Sequence, residues 1–193
     1  MQVKKESRTL GFDDGAFKKG DNEVILVGVL VRGKEYVDAV MSTKVEIDGF
    51  DATQKMIQLV NNSRQKEIIK VIFLNGIACA GFNLVDIQEL HEKTGKPVVV
   101  IIKNKPHPQE FRKALLNLSE SAKRLQVLYK AGDIHEFKIN QIATIYFQFA
   151  GCKEEKAKRF IRQSLKRSSV PECLRLAHLV ASGMTLGESK KGI

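Results

Sequence analysis

Acidic and amide side chains stand where several short apolar segments of this chain end. Asp13 closes the first of these segments, and Asn75 directly follows Lys70–Leu74. Asp48 and Asp51 flank the end of a β-branched stretch. If the segments are strands of one sheet, their carboxyl ends border the crevice where open α/β sheets bind ligands. Clustered carboxylates repel one another unless a cation lies between them, so the pattern predicts a Mg²⁺ or Mn²⁺ site with nuclease-type chemistry.

Ordinary turn chemistry explains the same aspartates. Asp14-Gly15 and Asp48-Gly49 place aspartate before glycine, a pair in which the aspartate bonds its own nearby backbone and the glycine supplies a positive φ. Taken singly, each aspartate is better explained as a turn or cap residue. Spacing alone therefore does not establish catalysis.

The elements that must position these residues begin with three strands in succession. Segments 8–14, 23–31 and 35–47 are rich in β-branched residues and are separated by turn signals, which predicts an antiparallel meander. The apolar period then changes to that of a helix, which Asp51 or Thr53 can cap. Strand, helix and strand follow, with Asn83 as the expected cap of the second helix; the ranges are 70–74, 83–95 and 97–102.

This order of elements predicts an α/β protein with a ribonuclease H-like fold. Its mixed central sheet would combine the antiparallel meander with parallel strands and carry helices on its faces. Further helices are expected at 109–118, 119–129, 153–165 and 171–182, with a strand near 142–149. We expect one domain over residues 1–184 and a flexible tail over 185–193.

The composition of the chain indicates which classes of binding partner to expect. The 32 Lys and Arg residues exceed the 22 Asp and Glu residues, giving a net charge of +10 that favours polyanions, nucleic acid first among them. The excess charge could instead serve solubility alone. No apolar run approaches the ~20 residues that span a bilayer, and no secretory signal is present. We therefore expect a cytoplasmic protein that binds no membrane. The cysteines have neither disulfide nor zinc spacing, which predicts reduced and buried thiols.

Basic residues in two places could contact phosphates. Lys103 directly follows the strand at 97–102, close to the predicted crevice, and Lys105 lies just beyond it. A basic helix could track a nucleic-acid backbone, although a solvated helix face explains its charges equally well. Its candidate contact residues are Arg159, Arg162 and Lys166.

Other catalytic arrangements are not supported. The four histidines lack metal-binding spacing, so ordinary surface or capping roles are expected for each. No Ser-His-Asp or Cys-His set can be assembled from the sequence order. Segment 76–81 lacks the Lys-Ser/Thr of a P-loop, which disfavours an ATPase.

Five segments in a fixed order resemble an archaeal family related to endonuclease V and now called endonuclease dU. The first four segments are LGFDDG, IDGFDAT, FLNGIACAGFNLVDI and GKPVVVIIK, and the fifth is VPECLRLAHLVASG. The resemblance extends over nearly the whole chain. The resemblance implies the ribonuclease H-like fold, a divalent metal and a nucleic-acid substrate, with DNA favoured.

The resemblance also implies roles for single residues. Asp13 matches the first metal ligand of endonuclease V, and Asp51 best matches the second, with Asp48 as the alternative. Asn75 stands where endonuclease V has its third aspartate. Lys103 matches the lysine that follows the fifth strand.

Three departures from endonuclease V bear on its activity. Asn75 offers an oxygen without a full negative charge, which should weaken metal binding. The helix-capping histidine of endonuclease V aligns with Cys152, and its strand-separating wedge aligns with Val45–Ile47. Because the wedge is not matched, deoxyuridine is favoured over deoxyinosine as the lesion. Two alternatives stay open: a nucleic-acid-binding relative that lost catalysis with its third ligand, and a partner-binding protein whose aspartates only form turns.

Overall fold

A computed structural model describes residues 6–139 and 143–189 of the chain. Its centre is one seven-stranded mixed sheet with the strand order β3-β2-β1-β4-β7-β9-β8. A two-stranded hairpin, β5-β6, lies apart from it. The strands are β1 Arg8–Asp14, β2 Glu23–Arg32, β3 Tyr36–Glu46, β4 Ile69–Asn75, β5 Ala78–Cys79, β6 Asn83–Leu84, β7 Val98–Ile102, β8 His135–Lys138 and β9 Thr144–Ala150.

Six α-helices complete the fold, and none of them in the described ranges is long and apolar enough to cross a bilayer. The helices are α1 Ala52–Asn62, α2 Ile87–Thr94, α3 Pro108–Leu116, α4 Ser121–Lys130, α5 Glu154–Ser164 and α6 Glu172–Leu186.

The predicted sheet is confirmed. Strands β1 to β3 form the antiparallel meander, and β1, β4 and β7 pair in parallel. Strand β9 then pairs antiparallel with β7, and β8 pairs with β9 at the edge of the sheet. Sequence reasoning missed β8 because its four residues are mostly polar. The predicted start of β9 at Ile142 lies outside the described residues.

Alternation along the central strands divides the core into two layers. In β4, Ile72 and Leu74 face the layer formed with α1 and α2, whereas Val71 and Phe73 face the layer formed with α5 and α6. Successive side chains of a strand point to opposite faces, so a continuous apolar run is what a strand covered on both faces requires. The same alternation assigns Asp13 to the α6 face and Asp14 to the other.

The sequence had predicted that Asn83 caps the second helix, and this prediction is wrong. Asp86 caps this helix, because its carboxylate accepts hydrogen bonds from the backbone N–H groups of Gln88 and Glu89 at 3.1 and 3.0 Å. Asn83 lies in β6, where its side-chain oxygen accepts a hydrogen bond from Ala52 N–H, at the start of α1. The cap of α1 therefore comes from the β5-β6 hairpin, 31 residues further along the chain, a contact that local sequence cannot reveal.

Helix α6 runs alongside β1 at very short range because the strand contains Gly11. A Cβ atom on Gly11 would lie 2.6 Å from the backbone of both Cys173 and Leu174. From Gly11 to Asp13 the strand advances about 6.6 Å, and from Leu174 to His178 the helix advances about 6 Å. The two backbones thus carry Asp13 and His178 to the same level.

The helix continues to Leu186 and ends at Gly187, which adopts a left-handed φ of 81°. The predicted boundary at 184/185 therefore falls inside α6. Residues 190–193 of the predicted tail lie outside the described residues.

Candidate metal and nucleic-acid site

Asp13 and Asn75 meet at the carboxyl edge of β1 and β4. The two strands are parallel with Phe12 opposite Leu74, so the next residue of each strand lies at the same level and on the same face. Asn75 Nδ2 donates a hydrogen bond to Asp13 Oδ1 over 3.2 Å. The structure thus brings together two of the four residues predicted as metal ligands.

His178 is a third member of this cluster, and sequence reasoning missed it. Its Nδ1 lies 2.9 Å from Asp13 Oδ2. The expectation of an ordinary surface or capping role is therefore wrong for this histidine. The available signal was the segment VPECLRLAHLVASG, in which His178 is the only imidazole. Cys152 had been matched to a histidine of endonuclease V. It follows β9, whose last residue pairs with the first residue of β7, so Cys152 lies at the opposite edge of the sheet from Asp13.

The Asp13 carboxylate is held in an environment that disfavours its charge. Burial, and then repulsion by the neighbouring Asp14, raise its pKa to about 6, while contacts with Asn75 and His178 oppose the rise. Burial also raises the pKa of Asp14, whose Oδ2 accepts a hydrogen bond from Ala80 N–H at 3.0 Å. A cation bound near the buried Asp13 carboxylate would stabilise its charged form and reduce the repulsion from the half-buried Asp14.

The other two predicted ligands, Asp48 and Asp51, belong to the loop between β3 and α1. Asp48 Oδ1 accepts a hydrogen bond from Phe82 N–H over 2.7 Å, and the residue has a left-handed φ of 54°. Asp51 Oδ1 accepts from Glu46 N–H at 3.1 Å and from Asn83 Nδ2 at 2.7 Å. One oxygen of each aspartate thus joins its loop to the β5-β6 hairpin, the turn-type role that the sequence left open.

Arg124 holds this loop in place from inside the protein. Its side chain is almost fully buried, at 2% exposure, and donates hydrogen bonds to the carbonyl oxygens of Asp48, Gly49 and Phe82. Its guanidinium also lies 4.2 Å from the centre of the Phe50 ring. A buried cation bonded to several carbonyls fixes their positions, so α4 determines where the two loop aspartates lie.

Cys79, in β5 beside this loop, carries a buried thiol. Burial raises its pKa strongly, and the negative charges of Asp14, Asp51 and Asp13 raise it further. Asp14 and Asp48 accept hydrogen bonds from Ala80 N–H and Phe82 N–H of the β5-β6 hairpin, so the hairpin connects the loop to the end of β1. Within residues 6–139 and 143–189, however, no three His, Cys, Asp or Glu side chains are close enough to bind one metal ion as they stand.

Carboxylate and amide oxygens are the donor types that Mg²⁺ and Mn²⁺ take in proteins, so the residue types fit such an ion. Asp13 has both of its oxygens in hydrogen bonds, to Asn75 and His178. A metal would therefore compete with these neighbours for the carboxylate.

The predicted phosphate-binding residues lie in two separate places. Ile101 pairs with Asn75, so Lys103, two residues further on, is exposed at the same sheet edge as Asp13. Lys105 follows it in the same exposed loop. Lys166 instead bonds Glu35 at 2.7 Å in the turn between β2 and β3, at the opposite edge.

The other two basic residues are on α5 itself. Arg162 lies 5.0 Å from the centre of the Phe137 ring, and Arg159 is exposed. Of the predicted phosphate-binding residues, those in the Lys103 loop therefore lie at the same sheet edge as the acidic cluster, and those on and after α5 do not.

A cavity of about 640 Å³ opens beside Asn75, between the sheet edge and helices α3 and α4. Its walls are mainly apolar, and Gln148 Nε2 donates a hydrogen bond to Gly132 O over 2.8 Å at its inner side. At its outer side the Arg112 guanidinium lies over the Tyr129 ring and donates to its hydroxyl. Other lining residues include Gly76, Ile77, Ile102 and Phe111.

A mixed sheet of this order, with helices on both faces and acidic strand ends at one edge, defines a ribonuclease H-like protein of the endonuclease V type. The chain belongs to the Endonuclease dU family, whose model matches residues 5–185. The family predicted from the sequence is thereby confirmed.

Close relatives occur in archaea. The UPF0215 protein of Methanopyrus kandleri is 40% identical over 97% of this chain and 96% of its own. The UPF0215 protein of Methanothermobacter thermautotrophicus is 42% identical over 98% of this chain and 93% of its own. A crystal structure of a protein of unknown function from Archaeoglobus fulgidus matches with a TM-score of 0.84 at 41% identity, over 92% of this chain and 97% of that one.

The likeness to endonuclease V is one of fold. The catalytic domain of human endonuclease V matches with a TM-score of 0.63 at 16% identity, over 94% of this chain and 84% of that one. Endonuclease V of Ciona intestinalis, in complex with a 24mer DNA containing an inosine, matches with a TM-score of 0.61 at 16% identity, over 94% and 86%.

Proposed function

We propose that this protein is a metal-dependent endonuclease that cuts DNA containing a deaminated base, with deoxyuridine favoured over deoxyinosine. The observation that carries the proposal is the buried Asp13 carboxylate, which lies between His178 and Asn75 at the carboxyl edge of the sheet. Membership of the Endonuclease dU family supports the same reaction class. Mg²⁺ or Mn²⁺ is the proposed cofactor.

Asp13 and Asn75 would hold the ion from the strand ends, with Asp51, or Asp48 in its place, facing them from the loop. When bound, the ion would polarise the phosphodiester and supply a reactive hydroxide from water. His178 would keep the Asp13 carboxylate oriented through the 2.9 Å contact. Lys103, exposed at the same edge, would hold a phosphate of the cut strand.

The cavity beside Asn75 supports a substrate with an extruded base. Its volume of about 640 Å³ is in the range of small-ligand pockets, and its apolar walls could stack a nucleobase. Enzymes that act at a damaged base take it out of the helix, because the edge that identifies it is otherwise paired. Gln148 could contact that edge with its side-chain oxygen.

A second candidate function is non-catalytic binding of nucleic acid. The observation in its favour is that Asn75 already donates to Asp13, so an uncharged hydrogen bond occupies one oxygen that a metal would need. In that case the acidic edge has no catalytic role, and the basic surface alone binds the nucleic acid.

Cleavage of labelled oligonucleotides separates the two. Substrates with one uracil, one hypoxanthine or no lesion are incubated with Mg²⁺, Mn²⁺ or EDTA. We expect metal-dependent cleavage of the uracil strand, its loss in Asp13→Ala, and its retention in Glu136→Gln, a control at an exposed carboxylate of β8. Binding without cleavage of any substrate would favour the second function, and absence of both would exclude the two together.

A further inference from the structure

A second cleft lies at the opposite edge of the sheet from Asp13. It has a volume of about 250 Å³ and is formed where β4 and β7 begin, where α2 ends and where α5 passes. Lys70 is the second residue of β4, five residues before Asn75, so the strand separates the cleft from the acidic cluster by about 16 Å. Its lining includes Lys70, His91, Lys96, Gly151 and Lys156.

Three lysines line this cleft and no acidic residue does. Among the described residues, none of the ammonium groups of Lys70, Lys96 and Lys156 has a carboxylate within 4 Å, whereas Lys130 and Lys158 are paired with Asp or Glu. The side chains of the three lysines are only half-exposed. Three half-buried cations around one small concavity leave it strongly positive.

Several neighbouring charges act on the ammonium group of Lys96. Burial lowers the pKa of Lys96; among the neighbouring charges the exposed Glu67 acts most strongly and raises it, whereas Lys70 and then Lys66 lower it. An anion bound among the lysines would reduce the repulsion between their ammonium groups.

Specific backbone contacts build the cleft. His91 Nδ1 lies 2.9 Å from the carbonyl oxygen of Lys96, which holds the loop after α2 against its helix. Gly151, with a φ of 72°, lies so close that a Cβ atom there would be 2.2 Å from the His91 ring. Gly151 thus lets the end of β9 approach α2 and brings α5, with Lys156, to the cleft. The three lysines are therefore positioned by the fold.

We propose that this cleft binds a phosphoryl group, at a site separate from the acidic edge. Its volume suits a phosphate, a pyrophosphate or the terminal phosphate of a nucleotide chain, and is too small for a duplex. Three ammonium groups around one concavity match the negative charge and the acceptor oxygens of such a group. The proposal does not depend on the nuclease reaction, because no residue of the Asp13 cluster contributes to it.

Calorimetric titration tests the proposal in metal-free buffer with EDTA at low ionic strength. The probes are pyrophosphate and a tetrathymidylate carrying either a 5′-phosphate or a 5′-hydroxyl. We expect wild type to bind, and Lys70→Gln, Lys96→Gln and Lys156→Gln each to bind about tenfold more weakly, as loss of one charged contact requires. The matched control is Lys93→Gln, which removes an exposed charge three residues before Lys96 but outside the cleft.

The three probes identify the source of the phosphoryl group. Binding of pyrophosphate alone indicates a free anion, a preference for the 5′-phosphate indicates a strand end, and equal binding of both oligomers indicates a backbone phosphate. Equal affinities of wild type and Lys96→Gln would overturn the proposal. So would an absence of binding to every probe, or weaker binding in Lys103→Gln alone, which would move the contact to the acidic edge. Melting temperatures without ligand confirm that each variant is folded.

Discussion

Replacing Asp13 with asparagine removes a charge that the folded protein holds at a cost. Burial and repulsion by Asp14 raise the pKa of this carboxyl from 3.8 to about 6. The folded state therefore binds the proton more tightly than the unfolded chain, and the free energy of unfolding falls as the pH rises from about 4 to about 6. Above that range the ionised carboxylate costs roughly 3 kcal/mol, because each pKa unit corresponds to about 1.4 kcal/mol.

The variant should recover part of this free energy. Asparagine has the same shape, and its side-chain oxygen can still accept the hydrogen bond from Asn75, whereas His178 no longer faces a carboxylate. We expect Asp13→Asn to raise the free energy of unfolding by about 1–3 kcal/mol near pH 7.5, equivalent to roughly 2–10 °C in melting temperature. Near pH 4 the gain should nearly vanish, because folded wild type is then protonated at this position.

Urea unfolding followed by circular dichroism at both pH values, with EDTA present, measures the difference. Asp133→Asn is the control, since it removes an exposed carboxylate and should change stability little at either pH. A variant less stable than wild type near pH 7.5, or a gain of the same size near pH 4, would refute the argument from burial. Under the proposed function, added Mg²⁺ should then stabilise wild type and leave Asp13→Asn unchanged.

Three further changes test the parts that surround Asp13. Asn75→Asp should lower the free energy of unfolding in EDTA by roughly 2–4 kcal/mol through like-charge repulsion. If the edge is a weakened nuclease centre, the same variant should bind Mg²⁺ more tightly and cleave faster. A calorimetric titration that shows no gain in Mg²⁺ affinity would contradict this. Gly11→Ala should cost about 1–3 kcal/mol in urea unfolding because its Cβ would meet backbone of α6 at 2.6 Å, whereas Gly183→Ala, in the same helix with open space around it, should stabilise by about 0.5–1 kcal/mol. Arg124→Met should cost about 3 kcal/mol or more in the same assay, since it leaves several buried carbonyl groups without donors, and an unchanged urea midpoint would show that water replaces the guanidinium.

Local patterns predicted the frame of the protein because its central strands are apolar on both faces. The meander and the run Lys70–Leu74 obey the alternation that a sheet between two helical layers requires, and Gly95 ends α2 in the expected left-handed conformation. Asp13 and Asn75 could be placed together because they end neighbouring strands of predictable register. These predictions needed only the period of the sequence and the rules of strand pairing.

Contacts between distant segments were beyond that reasoning. His178 lies on an amphipathic helix whose position depends on the absence of a side chain at Gly11, and nothing near the histidine marks it as a neighbour of Asp13. Asn83 caps α1, which precedes it in the sequence, and not α2, which follows it. Arg124 looks like one more surface charge of a basic chain, and its burial becomes visible only with the loop folded over it.

The contact between Asp13 and His178 has a consequence for biosynthesis. It joins the first strand to the last helix across 165 residues. At typical elongation rates, the ribosome adds that length in roughly 8–33 s, during which Asp13 is already made and its imidazole neighbour is not. Any step that needs His178 must therefore wait until α6 has been synthesised, and a chain truncated before α6 lacks that step altogether. Such a chain would still carry most of the basic residues, so it could bind a polyanion without acting on it.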